Sequence, residues 1–139
     1  MLRAMKRHSE IRVAVVGASP KPERYSNQAV RLLADKGFAV VPVTPRGGEI
    51  EGWPAVRSLE EIETPVDTVT LYVGPQRSGG LLEPLRRLAP RRVIFNPGTE
   101  SPPLEEALQA AGIVIERACT LVLLRLGTFL EEGAEPASS

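Results

Sequence analysis

The stretch Arg12-Val-Ala-Val-Val-Gly-Ala-Ser-Pro-Lys-Pro-Glu-Arg-Tyr-Ser-Asn27 decides the fold. It opens on a short apolar run, largely β-branched, with no polar alternation, and Gly17 ends that run. A strand of this kind is covered on both faces, as in a parallel sheet. From Ser26 to Lys36 the apolar residues Ala29, Val30, Leu32 and Leu33 fall on one helical face, and Gly37 supplies the stop. The opening of the chain therefore reads strand, turn, helix.

The same alternation continues outward. Phe38-Ala-Val-Val-Pro-Val43 is a second apolar strand, and its Pro42 suits a strand end or a position that donates no ladder hydrogen bond. Thr44-Pro-Arg-Gly-Gly48 is a loop by composition, and 49–56 has room for a short edge strand. Ser58-Leu-Glu-Glu61 fits a capping box at the start of a short helix. Val66 to Val73 is a third strong strand, followed by the turn-forming Gly74-Pro75. Leu81 to Leu88 reads as a helix, with Pro84 in its first turn or kinking it. Arg92 to Phe95 is a strand closed by Asn96-Pro-Gly98. Ser101, with Pro102 and Pro103 behind it, caps a helix running to Ala111, and Gly112 ends it. Ile113 to Glu116 is the last strand and Thr120 to Leu130 a terminal helix. Short apolar strands alternating with helices predict a doubly wound, mostly parallel α/β sheet with helices on both faces. Residues 1–10 read as an arm or lead-in helix, 11–130 as one domain, and 131–139 as a flexible tail.

Composition bounds the function. The chain has 139 residues, the size of a single core. Lys+Arg and Asp+Glu each number 17, so the chain lacks the basic footprint of a nucleic-acid binder or of a peripheral membrane protein. One Cys and one His nearly exclude a Cys/His metal site and exclude an internal disulfide. No apolar run reaches the roughly 18 residues that span a bilayer. The charged N-terminal segment lacks an apolar signal core, so a cytoplasmic location is expected. Aromatic residues are only 4%, so the core must be aliphatic. The high Arg and Pro content is that of a heat-adapted source or of a GC-rich genome.

In open α/β sheets ligands bind at the carboxyl ends of strands, where strand order reverses. The first such end carries Gly17, which lets a phosphate approach the backbone, the hydroxyls of Ser19 and Ser26, the cations Lys21 and Arg24, and a helix N-terminus. The bland alternative is a tight strand-to-helix turn. The segment is not the dinucleotide fingerprint G-x-G-x-x-G, because Ser19 and Pro22 fill the later glycine positions, and it holds no G-K-[ST]. An NAD protein places Asp or Glu after the second strand to hold the ribose hydroxyl. This chain has Val43-Thr-Pro-Arg46 there, and Arg46 suits a ribose phosphate, as in NADP or coenzyme A (CoA), or is a solvated loop arginine. The adjacent carboxylates Glu60-Glu61, Glu105-Glu106 and Glu131-Glu132 read as solvated faces, because helix neighbours do not face one another. Trp53 reads as edge packing, and His8 lies in the arm.

Together, V-V-G-A-S-P-K-P-E-R-Y-S (Val15 to Ser26), V-P-V-T-P (Val41 to Pro45), S-L-E-E-I (Ser58 to Ile62) and P-V-D (Pro65 to Asp67) resemble the small stand-alone CoA-binding proteins. These are single Rossmann-like domains similar to the CoA-binding domain of the succinyl-CoA synthetase α subunit. Thr44-Pro-Arg-Gly-Gly48 is also similar to the synthetase's T-P-G-K-G-G loop. The resemblance implies that Gly17, Ala18, Ser19, Lys21, Arg24 and Ser26 contact the nucleotide phosphates. It implies that Val43, Thr44, Pro45 and Arg46 edge the adenine and ribose. Tyr72, Val73 and Gly74 would line the pocket beside the adenine or the pantetheine arm, and Asn96, Pro97 and Gly98 would face the pantetheine end. Cys119 stands where the family often has R-C, which suggests either a redox role or a small buried hydrophobe. In the synthetases a phosphorylated His in a further domain performs catalysis, so no catalytic residue and no metal ligand is assigned here.

Three functions remain open. The first is a CoA or acyl-CoA binding module, monomeric or homodimeric, acting as carrier, sensor or partner of an acyl-CoA enzyme. The second is an NADP-binding enzyme or redox sensor in which Arg46 reads the 2′-phosphate. The third is an interaction domain with a vestigial pocket.

Overall fold

The computed structural model describes residues 7–63 and 65–130, so the expectations for residues 1–6 and for a flexible tail at 131–139 lie outside the described residues. Along the chain, β1 (Arg12–Val16) leads through α1 (Tyr25–Asp35) to β2 (Ala39–Val43). A hairpin of β3 (Glu49–Ile50) and β4 (Trp53–Pro54) comes next, then β5 (Thr68–Leu71), α2 (Pro75–Ser78) and α3 (Leu82–Leu88). The chain continues through β6 (Arg92–Phe95), α4 (Pro102–Ala110), β7 (Val114–Arg117) and α5 (Thr120–Leu126). The main sheet has the order β2-β1-β5-β6-β7, and every pairing in it is parallel. Pro42 sits in the edge strand β2, where its missing N–H breaks no ladder. Its carbonyl accepts from Val56 N at 3.0 Å, and Thr44 N donates to Val56 O at 2.9 Å, so one residue of extra pairing covers that edge.

The strands bury both faces, as their unbroken apolar character requires. Ala14, Val16, Val69, Leu71, Val93 and Phe95 pack on one side with Leu85 of α3 and Leu104 and Leu108 of α4. Val13, Val15, Val40 and Ile94 pack on the other with Val30 and Leu33 of α1 and Leu123 and Leu124 of α5. The result is the doubly wound, Rossmann-like α/β domain expected. No helix among the described residues is long and apolar enough to cross a membrane.

Several local expectations are corrected. The helix placed at 81–88 starts at Leu82 and is preceded by α2 and a 3-10 turn at Gly79–Leu81, since the glycine pair interrupts regular helix. Ser58 makes no side-chain cap, and the residues after it form a single 3-10 turn, Leu59–Glu61; Glu61 Oε1 instead accepts from Arg57 N at 2.9 Å. Ser101 does not cap with its hydroxyl either. Glu105 Oε2 accepts from Ser101 N at 2.8 Å, and Glu105 Oε1 pairs with Arg117 Nε at 3.0 Å. Glu105 is therefore buried rather than solvated, because its partner arrives from β7, distant in sequence. The terminal helix ends at Leu126, where Gly127 takes φ +76°.

The α1/α5 face also carries charge. Arg92 is fully buried, pairs with Glu116 at 3.1 Å, donates to Thr68 Oγ1 at 3.3 Å, and lies 4.6 Å from the centroid of the Phe129 ring. Burial lowers its pKa and Glu116 opposes that, and an arginine starts so high that it stays charged. Removing one partner of such a pair strands a buried charge. Glu116→Ala is expected to cost about 3 kcal/mol in urea unfolding, whereas Arg92→Met combined with Glu116→Leu is expected near neutral. A harmless Glu116→Ala would contradict this.

Asp67 receives two hydrogen bonds from Arg91, at 3.1 and 3.2 Å. Partial burial raises its pKa, but hydrogen bonds from Arg91 and Thr68 and the charges of Arg91 and Arg92 outweigh that and hold it below the usual value. A depressed carboxyl contributes stability above its unfolded pKa of about 3.9 and loses it as pH falls through the lower folded value. Chemical denaturation of Asp67→Asn should therefore show a deficit at neutral pH that shrinks as pH falls below the unfolded value of about 3.9.

Candidate functional site

Strand order reverses between β1 and β5. The chain leaves β1 toward β2 on one side, while β5 leads to β6 on the other. The carboxyl ends of these two strands diverge, and the crevice between them is the standard ligand position of an open α/β sheet. Gly17 takes φ +88° there, with its amide bonded to Val43 O at 3.0 Å. A Cβ on Gly17 would lie 3.0 Å from Val73 Cγ1 and 3.1 Å from the Tyr72 carbonyl carbon. Only glycine fits.

The loop from Gly17 to Arg24 is held from α1. Asn27, fully buried, donates from Nδ2 to Ser19 O at 2.9 Å and to Glu51 Oε2 at 3.0 Å. Arg31 donates from Nε to Asn27 Oδ1 at 2.8 Å and from Nη2 to Pro22 O at 2.7 Å. Loop carbonyls are thus satisfied from within. The amides at the start of α1 are not: the first intrahelical bond is Gln28 N to Arg24 O, Arg24 offers no side-chain cap, and the first turn holds no acidic residue. The amides of Tyr25, Ser26 and Asn27 and the helix dipole therefore present positive potential beside the Arg24 guanidinium.

The crevice has two continuous parts. One is lined by Gly17, Ser19, Arg24, Tyr25, Ser26, Tyr72, Gly74, Pro97, Gly98 and Thr99. The other is lined by Tyr25, Tyr72, Asn96, Pro97, Cys119, Leu121 and Arg125. Behind the second part runs a buried polar network. Asn96 donates to Thr70 Oγ1 at 2.7 Å and to Leu71 O at 2.8 Å, and accepts from Thr120 N at 2.8 Å. The Thr70 and Thr120 hydroxyls are 2.7 Å apart. The Tyr72 hydroxyl is sealed in beside them without a hydrogen-bond partner of ordinary geometry. Burial pushes the phenol up to about 12, so it stays neutral across physiological pH.

Ten of the residues singled out from sequence meet on this crevice: Gly17, Ser19, Arg24, Ser26, Tyr72, Gly74, Asn96, Pro97, Gly98 and Cys119. Ala18, Val43 and Val73 are core residues, and Val43 flanks the site through its carbonyl. Thr44 is buried beside it. Lys21, Pro45 and Arg46 are solvent-exposed and form no part of the walls. Tyr25, Thr99, Leu121 and Arg125 line the crevice and were missed. Tyr25 directly precedes Ser26, and Leu121 and Arg125 stand one turn apart just after Cys119; those positions were the available signal. His8, read as part of the arm, stacks on Phe38 with ring centroids 4.3 Å apart and takes no part in the site.

The fit at Gly17 is directly testable. Gly112 also has positive φ, at +85°, but a Cβ there meets nothing within 4 Å. Gly112→Ala should therefore cost only the left-handed conformational penalty, about 1–2 kcal/mol. Gly17→Ala should cost more, because the Tyr72 backbone must also move. Equal shifts in urea midpoint would refute the close approach.

Comparison with known proteins adds a family and a set of folds. A family model described as a CoA binding domain matches residues 12–125. Protein YneT of Bacillus subtilis, itself uncharacterized, is 38% identical over 72 residues; the match takes in 52% of this chain and spans about half, 53%, of that relative. A crystal structure of an uncharacterized protein is 41% identical with a TM-score of 0.80, covering 86% of this chain and 98% of the other. The structure of cell-free ID.343 from Thermus thermophilus is 33% identical with a TM-score of 0.79, covering 86% and 90%.

Proposed function

The chain belongs to the CoA binding domain family, and from that premise we propose that it binds CoA or an acyl-CoA in the β1/β5 crevice. It does so as a module without catalytic machinery of its own, serving as carrier, sensor or partner of an acyl-CoA enzyme. One observation carries the reading: the uncapped start of α1, with Arg24 and the close-packed Gly17, makes a cradle for a polyphosphate at the strand-order reversal. The donor set fits the ligand. Backbone amides and the Ser19 and Ser26 hydroxyls match diphosphate oxygens, and Arg24 matches their charge. The exposed cations Lys21 and Arg46 are assigned to the 3′-phosphate. Val43, Thr44 and Pro45 are assigned to the adenine and ribose. Tyr72, Gly74, Pro97 and Gly98 are assigned to the pantetheine arm, with Cys119 beyond them.

An NADP reading rests on Arg46 alone, which stands outside the crevice walls. Calorimetry separates the two. CoA is expected to bind and NADP not to, with Arg24→Ala weakening CoA by about 1.5–3 kcal/mol, the worth of a charged hydrogen bond. NADP binding that is abolished by Arg46→Ala would reverse the assignment. CoA binding indifferent to Arg24→Ala would remove the phosphate cradle.

A further inference from the structure

The two parts of the crevice share three walls, Tyr25, Tyr72 and Pro97, so they form one elongated depression. Their chemistries are opposite. The first part, about 280 Å³, offers hydroxyls, a guanidinium and unpaired helix amides. The second, about 380 Å³, offers mainly carbon from Tyr25, Tyr72, Pro97 and Leu121. Its polar groups are spent or turned away. Both Asn96 amide hydrogens are donated into the buried network, and the Tyr72 hydroxyl is sealed behind the wall. Cys119 contributes a weakly polar thiol. Arg125 is solvent-exposed and also borders the neighbouring groove of Gln28, Arg31 and Asp35, which places it at the rim. A polar group entering this part loses water without a replacement partner, whereas an aliphatic group gains from the transfer. Tyr25 stands at the junction with 71% of its surface exposed, apolar area for a ligand to cover.

We propose that this carbon-lined part holds the acyl chain of a CoA thioester, and that the ligand the crevice is built for is the ester of a short unsubstituted aliphatic acid rather than free CoA. The proposal rests on the CoA reading above and adds which form of CoA is selected. The region is larger than the phosphate end. Among the described residues its one lining cation, Arg125, stands at the exposed rim rather than inside, where a second carboxylate would have to be received.

The test is calorimetry on the full chain with CoA, acetyl-CoA, butyryl-CoA, hexanoyl-CoA and succinyl-CoA. Affinity is expected to rise about fourfold for each methylene buried, so that butyryl-CoA binds at least tenfold tighter than CoA. Succinyl-CoA, equal in chain length to butyryl-CoA, is expected to gain nothing over CoA. Tyr25→Ala, at an exposed position that the fold does not need, should flatten the series, so that the ratio of butyryl-CoA to CoA affinity falls whatever the change in CoA affinity itself; an unchanged ratio would count against the proposal. CoA binding as well as or better than every thioester would overturn the proposal and leave the CoA reading intact, as would succinyl-CoA binding more tightly than butyryl-CoA. Failure of all five compounds to bind would overturn both.

Discussion

The contact on which the rest depends is the meeting of Gly17 with the backbone of Tyr72. β1 and β5 lie side by side, and Tyr72 N donates to Val16 O at 2.8 Å just before the chains part. A side chain at 17 would hold the two strand ends apart. With hydrogen there instead, the chain turns at once into the loop that starts α1, and the start of that helix lines the crevice together with Tyr72 and Gly74 after β5. The carbonyl of Val43 fixes the other side of that turn by accepting from both Gly17 and Ala18. One missing Cβ thus sets the spacing of the strand ends, the aim of α1 and the position of Arg24.

The two faces of the sheet solve different problems. The α3/α4 face is aliphatic with a single Phe, and it serves as plain core. The α1/α5 face carries Thr68, Thr70, Arg92 and Asn96 among its valines and leucines. Unpaired, such groups would be costly; here almost every one is matched. The hydrogen bonds of Asn96 fix β6 to β5 and to the first turn of α5. That is a directional constraint aliphatic packing does not supply. It holds Cys119, Leu121 and Arg125 against a wall whose other members come from the start of α1 and the carboxyl ends of β5 and β6.

Legibility in the sequence depends on sequence distance. Continuous β-branched runs mark the parallel strands, and the local motif from Gly17 to Ser26 marks the phosphate end, because its parts lie within one turn of one another. The second part of the crevice is legible only in part: Tyr72, Asn96, Pro97 and Cys119 stand at strand ends, whereas Tyr25, Leu121 and Arg125 join them only where α5 packs beside α1. Arg46 draws attention as the cation after the second strand. β2, however, lies on the far side of β1 from the crevice, so its loop flanks the site rather than walls it. Glu105 looks solvated beside Glu106 because the strand that brings Arg117 to it lies farther along the chain. Arg92 gives no sign of burial, since its partner Glu116 and the covering Phe129 both lie far along the chain.

Beyond α5 the chain turns at Gly127 and sends Phe129 back under the sheet. Phe129 lies over Arg92 and meets Phe38 edge-on at 5.2 Å, while Phe38 stacks on His8. The first and last described segments are thereby clasped in one column of rings. Phe38 precedes β2 and Arg92 opens β6, so this column stands at the amino ends of the strands. The ligand crevice opens at their carboxyl ends. His8 and Phe129, close to the first and last described residues, consequently lie at the pole away from the ligand crevice. A reporter attached at His8 or Phe129 themselves would stand away from the mouth of the crevice, and the ring column brings those two positions, distant in sequence, to the same end of the sheet.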